Sequence, residues 1–282
     1  MSLFFVKIGV MERNPKPVLR VALLQTFPAW GQAEANCAAA ERLLRPLMEA
    51  PAAERPDLVV LPEMFATGFG LPLEEALQAG DTVRRWMQTL AAQSGAAVVG
   101  TTATRDGAAR AVNRLWWVRP DGSESHYDKR HLFGLGTEKR DYAPGAPHEP
   151  VEIAGWRVMP NICYDLRFPD YCRNRLVRAA SAVDYAYDVA LFPASWPTAR
   201  IAHWRLLLQA RAVENMAYAL GVNRVGEDAH GLSHGGCSMA VSPKGRVLWQ
   251  GDDGEAAVCV ALDWQALATY RKKFPVAEDW AE

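Results

Sequence analysis

Short apolar runs alternate with longer amphipathic ones along most of this chain, and that alternation limits the folds open to it. Leu19 to Leu24, Leu58 to Leu61, Ala96 to Thr101, Arg157 to Ile162 and Val189 to Phe192 lack the in-and-out polarity of a half-exposed strand. They read as strands buried on both faces. Gln32 to Met48, Thr82 to Gln93, Tyr171 to Ala182 and Ile201 to Tyr218 read as helices; in the last, Ile201, Trp204, Leu208 and Ala212 share one face. Hairpins are expected where Leu115 to Val118 runs into Pro120-Asp121-Gly122, and where Ser238 to Val241 reaches Ser242-Pro243-Lys244-Gly245 before Val247 to Trp249. Parallel-type units mixed with hairpins predict an α/β fold, with two sheets and helices outside to cover so much apolar sequence. No linker or repeat interrupts residues 18–282, which predicts one domain, preceded by an extension, residues 1–17, expected to be loosely packed. Pro160 lies in the strand leading to Cys163, and because proline donates no ladder bond this predicts an edge or a bulge there.

Charge and cysteine usage exclude several classes of function. The 282 residues carry 31 basic and 32 acidic side chains, a net charge of -1, with no long basic run. Nucleic acid and anionic membranes are therefore not the expected partners. No apolar stretch approaches the roughly 18 residues that span a bilayer. At the start of the sequence Lys7 interrupts the apolar run and no charged segment precedes it, unlike a signal peptide. The five cysteines, Cys37, Cys163, Cys172, Cys237 and Cys259, form no C-x-x-C pair, which predicts reduced thiols and a cytoplasmic location.

The chemistry concentrates at the ends of apolar runs. W-R-V-M-P-N-I-C-Y-D-L-R-F-P-D-Y, residues 156–171, reads as a buried strand that carries Cys163 into a sharp turn before Pro169 opens a helix. A strand end is where an α/β protein displays a nucleophile. Glu63 closes a second such run, L-V-V-L-P-E, and Lys129 stands in Y-D-K-R-H-L-F. Amide hydrolysis through a covalent intermediate needs a nucleophile, a proton carrier and an oxyanion donor. Cys163, Glu63 and Lys129 fit those roles in that order, with the Tyr164 backbone N–H as a second oxyanion donor and Lys129 favouring the thiolate. Taken singly, each has a blander reading: a buried cysteine is most often a small core hydrophobe, and a lone glutamate or lysine a solvated charge.

In order along the chain, L-P-E-M-F-A-T-G-F, Y-D-K-R-H-L-F and I-C-Y-D-L-R-F-P resemble the three signature segments of the nitrilase superfamily of carbon–nitrogen hydrolases. The resemblance continues through F-P-A-S-W-P and H-W-R-L-L-L-Q-A-R-A-V-E-N and covers about Val18 to Phe274. It implies a four-layer α-β-β-α sandwich with Glu63 as base, Lys129 as oxyanion stabiliser and Cys163 as nucleophile. A second glutamate is implied shortly after the lysine; Glu138 matches, with Glu124 and Glu149 flanking the segment. It also implies a homo-oligomer, dimer or tetramer, and the aromatic tail with Tyr270, Phe274 and Trp280 suits either such an interface or its own subunit. Cys163-Tyr164-Asp165, Ser195-Trp196-Pro197 and Lys273-Phe274-Pro275 look most like the omega-amidases, the bacterial YafV type in particular. Those enzymes act on 2-oxoglutaramate, a small dicarboxylate monoamide. A guanidinium at Arg167 is suited to gripping a substrate carboxylate, and a salt bridge with Asp165 is its alternative. Phe69, Phe133, Trp196 and Tyr164 are candidate pocket walls. No cofactor is called for, and no metal is expected: His230 and His234 lack a nearby carboxylate pair. The remaining readings are an amidase for another small acid amide such as deaminated glutathione, a catalytically silent metabolite-binding member, and a Cys–His hydrolase using His131 or His203.

Overall fold

In a computed structural model of the protein, describing residues 9–10, 13–179 and 182–281, two six-stranded sheets stack face to face. The first contains β1 (Val18–Gln25), β2 (Leu58–Val60), β3 (Ala97–Arg105), β4 (Ala111–Val118) and β5 (Glu124–Asp128). The second contains β6 (Val151–Ile153), β7 (Trp156–Pro160), β8 (Val189–Pro193), β9 (Tyr218–Val222), β10 (Met239–Val241) and β11 (Val247–Gln250). The last strand, β12 (Ala256–Asp263), returns to pair antiparallel with β1. The orders are β12-β1-β2-β3-β4-β5 and β11-β10-β9-β8-β7-β6. Each sheet has three parallel strands at its centre, β1-β2-β3 and β7-β8-β9, flanked by antiparallel ones.

The layers follow from side-chain alternation along each strand. Leu19, Val21, Leu23, Leu58, Val60, Val99, Leu115 and Trp117 point inward and share one core with Trp156 and Val158 of the second sheet. Their neighbours Ala22, Leu24, Val59, Leu61, Val98 and Trp116 point outward against Cys37, Ala40 and Leu44 of α1 (Ala33–Met48) and Val83, Met87 and Leu90 of α2 (Leu73–Ser94). On the far side Trp204, Leu208 and Ala212 of α3 (Ile201–Glu214) are fully buried, and α4 (Trp264–Lys273) follows β12. The result is the α-β-β-α order expected, in one domain. Among the described residues no helix is long and apolar enough to cross a membrane.

Three local expectations need correction. Helix α2 starts at Leu73 rather than Thr82, running straight through Gly80. A Cβ there would sit 2.2 Å from the Ala103 carbonyl oxygen, so this glycine permits close helix–strand contact instead of ending the helix. The helix expected over Tyr171 to Ala182 is only Pro169–Cys172, followed by extended chain at Leu176–Ala179. Buried Asn174 explains the change: its Nδ2 donates to the carbonyls of Tyr187 and Asn215, both at 3.0 Å, holding the backbone in an irregular path. Helix α3 ends at Glu214, where Met216 adopts φ 49° before Tyr218 begins β9. Pro160 meets the edge expectation locally, having a strand on one side only. It is the last residue of β7, past the point where β6 stops pairing, and its carbonyl accepts from His148.

Both ends of the described chain are anchored. Arg13 donates to both carboxylate oxygens of buried Asp188 at 2.9 Å, and Arg271 on α4 donates to the same group at 2.8 Å. Residues 1–8 and 11–12 of the expected extension lie outside the described residues. The Trp280 ring meets Tyr185 edge-on at 5.9 Å and carries Arg173 at 4.4 Å, so the tail packs on its own subunit.

Gly221 on β9 tests how tightly the outer layer is packed. A Cβ there would lie 2.5 Å from both Leu208 and Trp204 of α3. Gly221→Ala should lower the unfolding free energy by about 1–3 kcal/mol through overpacking, measured by urea denaturation; an unchanged midpoint would contradict this packing.

Candidate active site

Strand ends from both sheets meet at one place. Chain leaving β2 delivers Glu63, chain leaving β5 delivers Lys129, chain leaving β7 delivers Cys163 and chain leaving β8 delivers Ser195. The Glu63 N–H donates to the Ala194 carbonyl at 3.4 Å and ties the two sheets together here. Cys163 adopts φ 44°, a left-handed conformation that non-glycine residues rarely take. The fully buried Asp165 holds that turn. One of its oxygens accepts from the Ile162 N–H at 2.9 Å and the Tyr127 hydroxyl at 2.7 Å. The other accepts from the His131 N–H at 3.0 Å and from His131 Nδ1 at 2.8 Å. Asp165 is thereby committed to the turn and does not pair with Arg167.

A buried lysine sits between two carboxylates. Lys129 Nζ donates to Glu63 Oε1 at 2.8 Å and to both oxygens of Glu138 at 2.9 Å, and all three side chains are about 1% exposed or less. Glu138 opens a short helical turn, and the Phe133 N–H donates to it at 2.6 Å. The two flanking glutamates are engaged elsewhere, Glu124 with Arg84 and Glu149 with Arg175. Burial alone would lower the Lys129 pKa, but the Glu138 and Glu63 charges outweigh it and hold the ammonium well above its ordinary value. Burial pushes the Glu63 carboxyl above its ordinary 4.5, with Glu138 adding and Lys129 opposing.

The thiol of Cys163 lies 4.0 Å from the Ser195 carbonyl oxygen and close enough to Glu63 to feel its charge. Burial, then the Glu63 charge, raise its pKa well above 9.0; Lys129 lowers it without reversing that. The resting nucleophile is therefore a thiol with a carboxylate beside it, rather than the thiolate that Lys129 alone would favour.

These groups open onto a small cleft with a cavity volume of about 70 Å³, which suits a small molecule rather than a polymer. Phe69, Phe133, Tyr164, Trp196 and Arg167 all line it, as expected. Phe69 faces the Lys129 ammonium at 5.3 Å, and Phe133 meets Tyr164 edge-on at 5.3 Å. Arg167 lies over the Trp196 ring at 4.7 Å, with Nη2 3.3 Å from His203 Nδ1. His131 and His203 do not line the cleft. His234 does, with Nε2 3.3 Å from Ser195 Oγ, and burial followed by the Arg224 charge pushes its pKa down to about 4. His230 packs edge-on against Trp30 instead.

Three contributors escaped the sequence reading. Asn113 donates to Glu63 at 2.8 Å and to Glu138 at 3.1 Å; a polar residue on the inner face of A-V-N-R-L-W-W was the available signal. Ser195 donates its N–H to Glu63 Oε2 at 3.1 Å, a backbone contact with no side-chain signature. Arg200 also lines the cleft.

Comparison with known proteins agrees with this geometry. Residues 20–272 match the carbon–nitrogen hydrolase family. The chain is 39% identical over 264 residues to the omega-amidase YafV of Yersinia enterocolitica, covering 93% of this chain and 96% of that one. It is 32% identical over 227 residues to the 2-oxoglutaramate amidase of Bacillus subtilis, covering 79% and 84%. Among solved structures, XC1258 from Xanthomonas campestris, a CN-hydrolase superfamily protein with an arsenic adduct in its active site, superposes with a TM-score of 0.86 at 40% identity, over 93% of this chain and 97% of that one. This chain belongs to the carbon–nitrogen hydrolase family and is an amide-hydrolysing enzyme.

Proposed function

We propose that this enzyme is an omega-amidase that hydrolyses the terminal amide of 2-oxoglutaramate to 2-oxoglutarate and ammonia. The observation that carries this reading is a thiol, a carboxyl of raised pKa and a buried ammonium at the floor of a small cleft with Arg167 in its wall. Similarity to the YafV omega-amidase and to the 2-oxoglutaramate amidase supports the same substrate.

Cys163 attacks the amide carbon as Glu63 takes the thiol proton. Coupling the two steps avoids forming a free thiolate, which burial disfavours. Negative charge moves onto the former carbonyl oxygen, where Lys129 and the Tyr164 N–H hold it; such donors contribute about 3 kcal/mol each in a dry site. The intermediate collapses with loss of ammonia, protonated by Glu63, and leaves a thioester on Cys163. Water then attacks as Glu63 takes its proton. The second intermediate releases the acid, and Glu63 returns the proton to the departing sulfur. Glu138 keeps the ammonium charged and aimed. Arg167 takes the carboxylate of the substrate, and the aromatic walls enclose its short carbon chain.

We also propose that the protein is a cytoplasmic homo-oligomer. Five unpaired thiols support the location, and Leu206 and Val213, exposed on α3, support the assembly.

Ammonia release from 2-oxoglutaramate, succinamate, glutamine, an aliphatic nitrile and deaminated glutathione tests the substrate. 2-Oxoglutaramate should lead, and Cys163→Ala should abolish its turnover; full activity in that variant would sink the mechanism. Lys129→Ala, with folding checked by circular dichroism, should lower kcat by on the order of 100-fold or more, whereas a pure KM effect would contradict an oxyanion role. Arg167→Ala should raise KM for acid amides far more than for neutral ones; equal changes would remove its carboxylate role. Because Glu63 must be ionised to accept the thiol proton and its pKa is raised, activity should fall on the acid side while the pH is still above 4.5. A profile flat down to pH 4.5 would contradict Glu63 as the base.

A further inference from the structure

Arg200 immediately precedes α3 and lines the same cleft as Cys163. Its guanidinium lies 5.5 Å from the centre of the Phe133 ring, much as that of Arg167 lies 4.7 Å from the Trp196 ring. Trp196 links the two, since its indole N–H donates to the Arg200 carbonyl at 2.9 Å. Both arginines are half-buried, and among the described residues neither forms an ion pair with a carboxylate. The partner of Arg167 is an imidazole nitrogen, which leaves its charge uncompensated. Asp228 is the other carboxylate of the cleft besides Glu63, and one of its oxygens is taken by the N–H groups of His230 and Leu232 at 2.9 Å. Lys129, the remaining cation, is held by Glu63 and Glu138.

Two like charges in one half-buried cleft, neither directly paired with a carboxylate, repel each other until an anion arrives between them. Each guanidinium presents a planar fork of N–H donors and no acceptor. Resting on the omega-amidase reading above, we infer that Arg200 is a specificity-determining residue. With Arg167 it forms a two-guanidinium clamp for the 2-oxo-carboxylate head of the substrate, which offers three acceptor oxygens. Stacking on Phe133 and Trp196 holds both forks in place and lowers the ordering cost of binding. A 2-amino head, as in glutamine, replaces an acceptor with an ammonium and is repelled by both cations. The clamp thus selects a 2-oxo acid amide over the amino acid amide of equal length.

The test compares wild type, Arg200→Gln and Arg200→Lys on three amides: 2-oxoglutaramate, glutaramate, which keeps the carboxylate without the 2-oxo group, and pentanamide, which has neither. The wild-type ranking tests the underlying reading separately: preference for pentanamide would overturn the omega-amidase assignment. Arg200→Gln should raise KM for 2-oxoglutaramate by roughly 10–100-fold, the loss expected for a charge-assisted contact. The increase for glutaramate should be smaller, and that for pentanamide no more than about threefold on the same scale. Arg200→Lys, which keeps the charge without the fork, should fall between wild type and Arg200→Gln. Calorimetric titration of 2-oxoglutarate into Cys163→Ala, with and without Arg200→Gln, reads the clamp without turnover, and the second change should weaken binding by a similar factor. Equal losses on all three amides, or unaltered 2-oxoglutarate affinity, would overturn the clamp.

Discussion

One buried ammonium held between two carboxylates organises the catalytic end of the molecule. Lys129 is enclosed by Glu63 and Glu138, and Asn113 bridges the two carboxylates from β4. Charges this far from water persist only when paired and hydrogen-bonded, and removing one partner from such a group costs about 3–5 kcal/mol. The same burial gives the cluster its chemistry. It raises the carboxyl of Glu63 and the thiol of Cys163 together, so the proton moves between the two rather than to solvent. A lysine that stays charged in this setting is a fixed positive pole for a developing oxyanion, with no reorganisation needed at the moment of reaction.

The double-sheet scaffold makes that cluster possible. Parallel strands at the centre of each sheet deliver their chain to one end, and the edge strand β5 runs in the same direction as β2, so β2 and β5 of one sheet meet β7 and β8 of the other. Two turns there carry backbone strain: Met64 and Cys163 both have positive φ, at 49° and 44°. Each strained turn has a dedicated side-chain acceptor, Thr101 for the Met64 N–H and Asp165 for the Ile162 N–H. Asp165 is thus a structural anchor beneath the nucleophile, which leaves the neighbouring Arg167 facing the cleft.

Much of this was legible in the sequence because it depends on local pattern. Apolar runs too uniform for half-exposed strands marked the central strands, and strand ends marked Glu63 and Cys163. What was not legible depends on contacts between distant segments. Gly80 has the local appearance of a helix break, yet it marks the close approach of α2 to Ala103. The stretch after Tyr171 has helical character, but Asn174 binds the Tyr187 and Asn215 carbonyls and draws the chain away from a helix. Asn113 on β4, Ser195 after β8 and Arg200 before α3 reach the site from three separate parts of the fold, which no spacing rule reports. The net state of the Cys163 thiol was likewise hidden, since burial outweighs the neighbouring ammonium.

The central claim is that the acyl group passes through a thioester on Cys163. The most direct measurement is mass spectrometry of enzyme acid-quenched within the first turnover of 2-oxoglutaramate. The account predicts a Cys163-containing peptide heavier by the substrate less ammonia, appearing before product and disappearing as the substrate is consumed. Ammonia release at full rate with no adduct on that peptide would contradict it.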